Sequence, residues 1–211
     1  MNTRSIATLF FLVLAMALQS AGQSYVGGTG MVNAGYMYMP ELSSSLNSIA
    51  GNSTRFQNGY TIVGAEINYR NSHMVAVASG YIGTQEAKLI NDKVIEPFIW
   101  KAHGGFGWII NNHKSFFIYP VLGLGAIQSS LTYHQRSDYE IQSVHTAPSI
   151  DISAHVDYLL NNITHTEGFV DVAMISARAG YCHGFSSSKI QGWTLMISFG
   201  GVGFMKNKHS Q

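Results

Sequence analysis

Charge is what this sequence has least of. Asp, Glu, Lys and Arg together make up 11% of the chain, where soluble domains carry about 25%. No basic run exists beyond the tail Lys206, Asn207, Lys208 and His209, and the formal net charge is +1. That excludes a general nucleic-acid binder, which needs a concentrated basic footprint. Cysteine is almost missing as well, with Cys182 standing alone. One cysteine makes no internal disulfide and no zinc–thiolate site. The nine histidines are scattered singly, without an H-x-x-x-H pair on a plausible helix, so neither metal nor cofactor is expected. Beyond Gln23 there is no apolar run long enough for a membrane helix and no convincing period of 3.6.

The first 22 residues stand apart. Arg4 supplies a positive start, and Ile6 to Leu18 (IATLFFLVLAMAL) is a continuous apolar stretch. A spanning helix takes about 20 apolar residues, so this stretch has signal-peptide length instead. Ser20-Ala21-Gly22 places small residues where a signal peptidase needs them, with cleavage before Gln23. The expected organisation is a signal peptide over 1–22 and a single domain over 23–211.

What is present in that domain is period 2. Eight strands are predicted: Gly30–Met39, Gly59–Arg70, His73–Gly83, Val94–Ile110, Ser115–Thr132, Pro148–Leu160, Phe169–His183 and Gly192–Phe204. Most reach the roughly 9–11 residues that a tilted strand needs to cross a bilayer. Short connections (Asn71-Ser72, Asn111 to Lys114, Asn161 to Gly168) alternate with long polar ones (Pro40–Asn58, Thr84–Lys93, Tyr133–Ala147, Gly184–Gln191). Outer-membrane barrels keep that rhythm, with short periplasmic turns and longer outer loops. Of the long loops, Pro40–Asn58, rich in Ser and Asn, is the expected interaction surface. Pro120 removes a ladder donor and predicts a local distortion of the fifth strand.

One face of each strand is apolar: Val63, Ala65, Ile67 and Tyr69; Leu122 and Leu124; Ile150, Ile152, Ala154 and Val156; Leu195, Ile197 and Phe199. Lipid contact accounts for a face so free of charge. Aromatics near strand ends suggest two belts at headgroup level. Tyr38, Tyr60, Tyr81, Trp100, Tyr133, Tyr181 and Trp193 form the outer one, and Tyr69, Trp108, Phe116, Tyr158, Phe169 and Phe204 the inner. The other face is small or polar, and eight strands enclose a lumen just wide enough for side chains to fill. Glu66, Lys101, His103, Asp151, Ser153, His155, Asp157 and Arg178 are assigned there as a structural polar network. With the turn centred on Thr164-His165, Asp151 faces Arg178 across the sixth and seventh strands, and these two are expected to pair.

The stretch Ser149 to Asp157 invites a catalytic reading. Residues i and i+2 of a strand lie about 6.5–7 Å apart, whereas a nucleophile and its base need about 2.6–3.2 Å. No G-x-S-x-G elbow is present. Ser153, His155 and Asp157 are therefore read as lumen wall, with no catalytic residue assigned.

In these features, from Gly27 to Phe204, the chain resembles the small eight-stranded outer-membrane β-barrel proteins of Gram-negative bacteria. The last strand, GWTLMISFGGVGF, looks like the aromatic-ended strand read by the barrel-assembly machinery, although MKNKHSQ follows Phe204. The resemblance implies an all-β, antiparallel up-and-down transmembrane barrel, integral to the outer membrane and monomeric. Its partners would be outer-membrane lipids and, during biogenesis, the assembly machinery. It does not imply one activity. The leading expectation is a non-enzymatic barrel whose outer loops meet the environment. A lipid-modifying barrel enzyme is the alternative, with His134, His183 and Ser186 near the outer rim. A soluble, lipocalin-like carrier is the third, and it requires a polar exterior around an apolar cavity.

Overall fold

The computed structural model describes residues 25–50, 55–71, 73–90, 92–113, 115–135, 138–166, 169–185 and 190–206. The proposed signal peptide and Ser186 lie outside them. Ten strands and one helix follow in order: β1 (Tyr25–Tyr38), α1 (Pro40–Ala50), β2 (Gly59–Asn71), β3 (Met74–Thr84), β4 (Lys88–Ile90), β5 (Lys93–Trp108), β6 (Asn111–His113), β7 (Phe116–Gln135), β8 (Asp138–Thr166), β9 (Phe169–Gly184) and β10 (Gln191–Lys206). Each long strand pairs antiparallel with the next, and β1 also pairs with β10, from Tyr25↔Lys206 to Tyr38↔Trp193. The sheet thus closes into an eight-stranded up-and-down barrel. The short β4 and β6 add one pairing each, on β5 and β7.

Alternation decides which side chains go where. Along β2, Ile62, Glu66, Asn68 and Arg70 are buried, while Val63, Ala65 and Ile67 are exposed. On β8, Asp151 is 6% exposed and its neighbour Ile152 57%. The exposed set is a belt of large apolar side chains, among them Val32, Leu122, Leu195, Ile197 and Phe199. Water would penalise such a wall at about 25 cal/mol per Å², and lipid does not. A carrier of lipocalin type, polar outside, is excluded by this exterior. Trp193 and Tyr38 close the belt at one end, and Trp108 and Tyr158 at the other, all of them exposed. Three aromatics placed in the outer belt by sequence belong elsewhere: Tyr60 and Tyr81 point inward and are buried, and Tyr133 packs against the same lumen cluster, because each shares the parity of the lumen face. Phe204, placed in the inner belt, also falls on the lumen parity of β10.

The long connections differ most from expectation. Pro40–Asn58 is not an open loop: its first part is α1, with Leu42 and Leu46 fully buried. Tyr133–Ala147 is largely strand, since β7 runs to Gln135 and β8 begins at Asp138. The β7–β8 ladder extends up to Gln135↔Asp138, with its irregularity between Ser129 and Ser130. No distortion appears at Pro120, which pairs in register with Ala154. Pro120 lies one residue past the last β5–β7 pair, Gly107↔Val121, so on that side no ladder bond is lost.

Candidate functional site

The lumen is filled in three layers. The layer nearest the long connections is apolar. Met37, Tyr60, Ile62, Ile95, Ile99, Ile127, Leu131 and Met196 form a cluster, and Leu42 and Leu46 of α1 enter it from the mouth. Pro40 opens the helix at the position where a missing N–H costs nothing, and Glu41 lies in its first turn, at the positive end of the helix dipole. Tethers hold α1 in place. Asn47 Oδ1 accepts from the Phe56 amide, the Met39 amide donates to Asn58 O at 2.7 Å, and Ser45 Oγ meets His145 Nε2 at 3.0 Å. At this rim Lys88 donates to Glu86 at 2.8 Å and holds that carboxyl below its ordinary range.

The middle layer is ionic. Lys101 of β5 pairs with Asp151 of β8, and Arg178 of β9 pairs with Glu66 of β2. Arg178 also donates to the Tyr81 hydroxyl. Ser149 donates to the second oxygen of Asp151 at 3.3 Å. Gly123 stands opposite Asp151. Its missing side chain leaves room for Asp151 beside His103, whose ring meets Ser79 Oγ at 3.0 Å. The void among Lys101, Asp151 and Arg178 is about 20 Å³, the scale of a single water.

The lowest layer joins charge to aromatic rings. Arg70 donates to Asp157 at 2.6 Å, with both side chains at zero exposure, and to Asn68 at 3.3 Å. Tyr119 donates to the same Asp157 oxygen at 2.9 Å. The Arg70 guanidinium lies 5.5 Å from the centre of the Phe117 ring, within cation–π range. Val75, Val77 and Val121 complete an apolar cluster around it.

All eight residues assigned to the lumen from sequence lie on the inward face, but their partners differ from expectation. Asp151 does not pair with Arg178. It stands opposite Cys182, and Arg178 stands opposite His155. The hairpin turns between Thr166 and Phe169 rather than at Thr164-His165, and two irregularities between Leu159 and Thr164 take up part of the difference. The net shift is even, so faces survive while partners change. Asn68, on the inward parity of β2 with Glu66, is buried as that parity requires. Arg70 and Tyr119 are lumen residues that the sequence reading misses, although parity alone puts Arg70 on the same face as Glu66 and Asn68.

The strand also bends the distance argument. Ser153 Oγ does reach His155 Nε2, at 2.9 Å, because the two side chains lean together. The relay stops there: Asp157 is held by Arg70 and Tyr119, and His155 Nδ1 has no hydrogen-bond partner among the described residues. His134 and His183 do not meet. His134 faces Tyr139 at the top of β8, and His183 faces Ile150 much lower. Among the described residues no group of three or more His, Cys, Asp or Glu is placed to hold a metal.

No protein-family model matches the chain, and no curated protein matches it in sequence. Solved structures do match in shape. Ail, the attachment invasion locus protein of Yersinia pestis, crystallised with the heparin analogue sucrose octasulfate, superposes with a TM-score of 0.50 at 11% identity, covering 87% of this chain and 100% of Ail. Neisserial surface protein A gives 0.40 at 10% identity, over 87% of this chain and 97% of its own. The N-terminal β-barrel domain of Pseudomonas aeruginosa OprF gives 0.33 at 15%, over 86% and 97%. At these identities the likeness concerns the fold alone, and the Ail superposition agrees with the closed ladder: this chain has the fold of the small eight-stranded outer-membrane β-barrels, with an apolar belt suited to lipid around it.

Proposed function

We propose that this protein is a non-enzymatic outer-membrane barrel with a sealed lumen, acting through its stability and its outer rim. The carrying observation is the three-layer fill. An apolar plug closed by α1 stands over an ionic layer, and that layer stands over an aromatic one. A hydrated ion finds no path through side chains packed this way, consistent with the size rule for eight strands. The Ser153–His155 contact does not favour catalysis, since it lies inside that fill without a substrate channel or an acid on the second ring nitrogen. Six charges lining the described lumen pair in three opposite-sign couples, which is what a buried structural network requires.

Single-channel recording in planar bilayers tests the sealed lumen. The mature chain is expected to give a flat trace at voltages where a general porin shows steps. Reproducible unitary steps from the wild-type protein would remove this reading. A mass-spectrometric lipid A profile, with and without the protein, tests the other half: it should be unchanged.

A further inference from the structure

The lipid-facing wall is not uniform. On the β10–β1 side it is bulky, with Val32 70%, Leu195 64% and Ile197 66% exposed. On the β3–β5 side it is nearly bare. Gly80 pairs with Ala102 and Ala78 with Gly104, and together they floor a trough of about 610 Å³. Further along the same strands, towards the long connections, the outer wall turns polar. Glu96 stands opposite Thr132 and Trp100 opposite Gln128. With Phe98 and His134 these line a second groove of about 530 Å³. Thr132 is only 8% exposed although it points away from the lumen, so the recess is deep. Trp100 Nε1 donates to Gln128 Oε1 at 2.8 Å and fixes the indole between the two hollows.

Height and charge identify an occupant. Trp100 and Trp108 lie on one face of β5, about 20 Å apart along the barrel axis at about 3.3 Å per residue and a tilt near 40°. The apolar band of such barrels is about 25 Å tall. Glu96 and His134 therefore sit at the outer headgroup level, and the bare trough sits at acyl-chain depth. Among the described lining residues there is a carboxylate, an amide and hydroxyls, but no lysine or arginine. That set suits an ammonium group and gives an anionic headgroup no cation to meet.

We propose that the outer wall over β3, β5 and β7 binds one outer-leaflet lipid. An amine-bearing headgroup lies against Glu96, Thr132 and His134, and an acyl chain follows the trough of Ala78, Gly80, Ala102 and Gly104. Native mass spectrometry of the full mature chain, released from nanodiscs of equal phosphatidylethanolamine and phosphatidylglycerol, reads this directly. Wild type is expected to retain the ethanolamine lipid about fivefold over the glycerol lipid, the upper end of what one partly exposed ion pair supplies. Glu96→Gln should bring the ratio close to one. Gly104→Leu should lower retention of both lipids. A side chain there enters open space, the nearest atom being Val77 O at 3.6 Å, so the barrel should still show its heat-dependent gel shift. A wild-type ratio near one, a preference for the glycerol lipid, or a preference that Glu96→Gln leaves intact would each overturn the headgroup assignment. Undiminished retention in Gly104→Leu would overturn the chain assignment.

Discussion

At the scale of single residues the lumen carries its charges as cross-lumen struts. Arg70 and Asp157 belong to β2 and β8, which are not neighbours in the barrel, and both side chains are fully buried. Charges this deep are costly unless paired, and breaking such a pair leaves the survivor uncompensated, typically at about 3–5 kcal/mol. Asp157→Asn should therefore lower the unfolding free energy of the refolded barrel, read from urea titration, by an amount in that range and move the midpoint down with it, since Tyr119 also loses its carboxylate acceptor. The rim pair Lys88–Glu86 has an exposed carboxylate, and Lys88→Ala should leave the midpoint unmoved. Equal effects of the two substitutions would mean that Asp157 is solvated in the folded state. Which residues face the lumen was legible from period 2, because the inward or outward choice depends only on parity. Which of them touch was not legible. Partners depend on where the β8–β9 turn falls and on two irregularities near Asn162, and neither leaves a mark in hydrophobic alternation.

At the scale of elements, α1 is the feature that alternation concealed. Leu42, Ser43 and Leu46 of α1 are fully buried together with Met39 just before it, the spacing i, i+3, i+4 and i+7 of a helix. Ser43 holds one of those four places, and the surrounding Ser and Asn residues read as a loop. The readable signals were Pro40 at the start and Glu41 in the first turn, too common alone to select a helix. The strand extensions of β7 and β8 were hidden for a related reason: beyond the membrane they face water, so the apolar half of the alternation fades. If α1 is a packed part of the core, Leu46→Ala should cost about 2–5 kcal/mol, as for other buried leucines. Ser44→Ala, on the exposed side of the same helix, should cost almost nothing. Urea titration of both variants in the same detergent separates a seated plug, with a clear difference between them, from a loosely held loop, with none.

At the scale of the whole molecule, scarcity of cysteine makes orientation measurable. Cys182 is buried in the lumen wall, and burial raises its thiol's resistance to labelling, so an introduced cysteine reports alone. The ladder puts α1 and the β4–β5 hairpin at one end of the barrel, with the ends of β9 and β10 that the β9–β10 connection joins, and the first and last described residues, Tyr25 and Lys206, with the short turns at the other. Short turns face the periplasm in bacterial barrels of this kind, so α1 should face outward. Ser44→Cys lies on the exposed side of α1, and His73→Cys lies in the exposed short turn between β2 and β3. In intact cells a membrane-impermeant maleimide should label Ser44→Cys and spare His73→Cys, and permeabilising the outer membrane should make the two equal. The reverse pattern would invert the barrel, turn the α1 plug to the periplasm and move the Glu96 groove to the inner leaflet. This one labelling experiment therefore fixes the side from which the sealed mouth and the lipid-facing recess are reached.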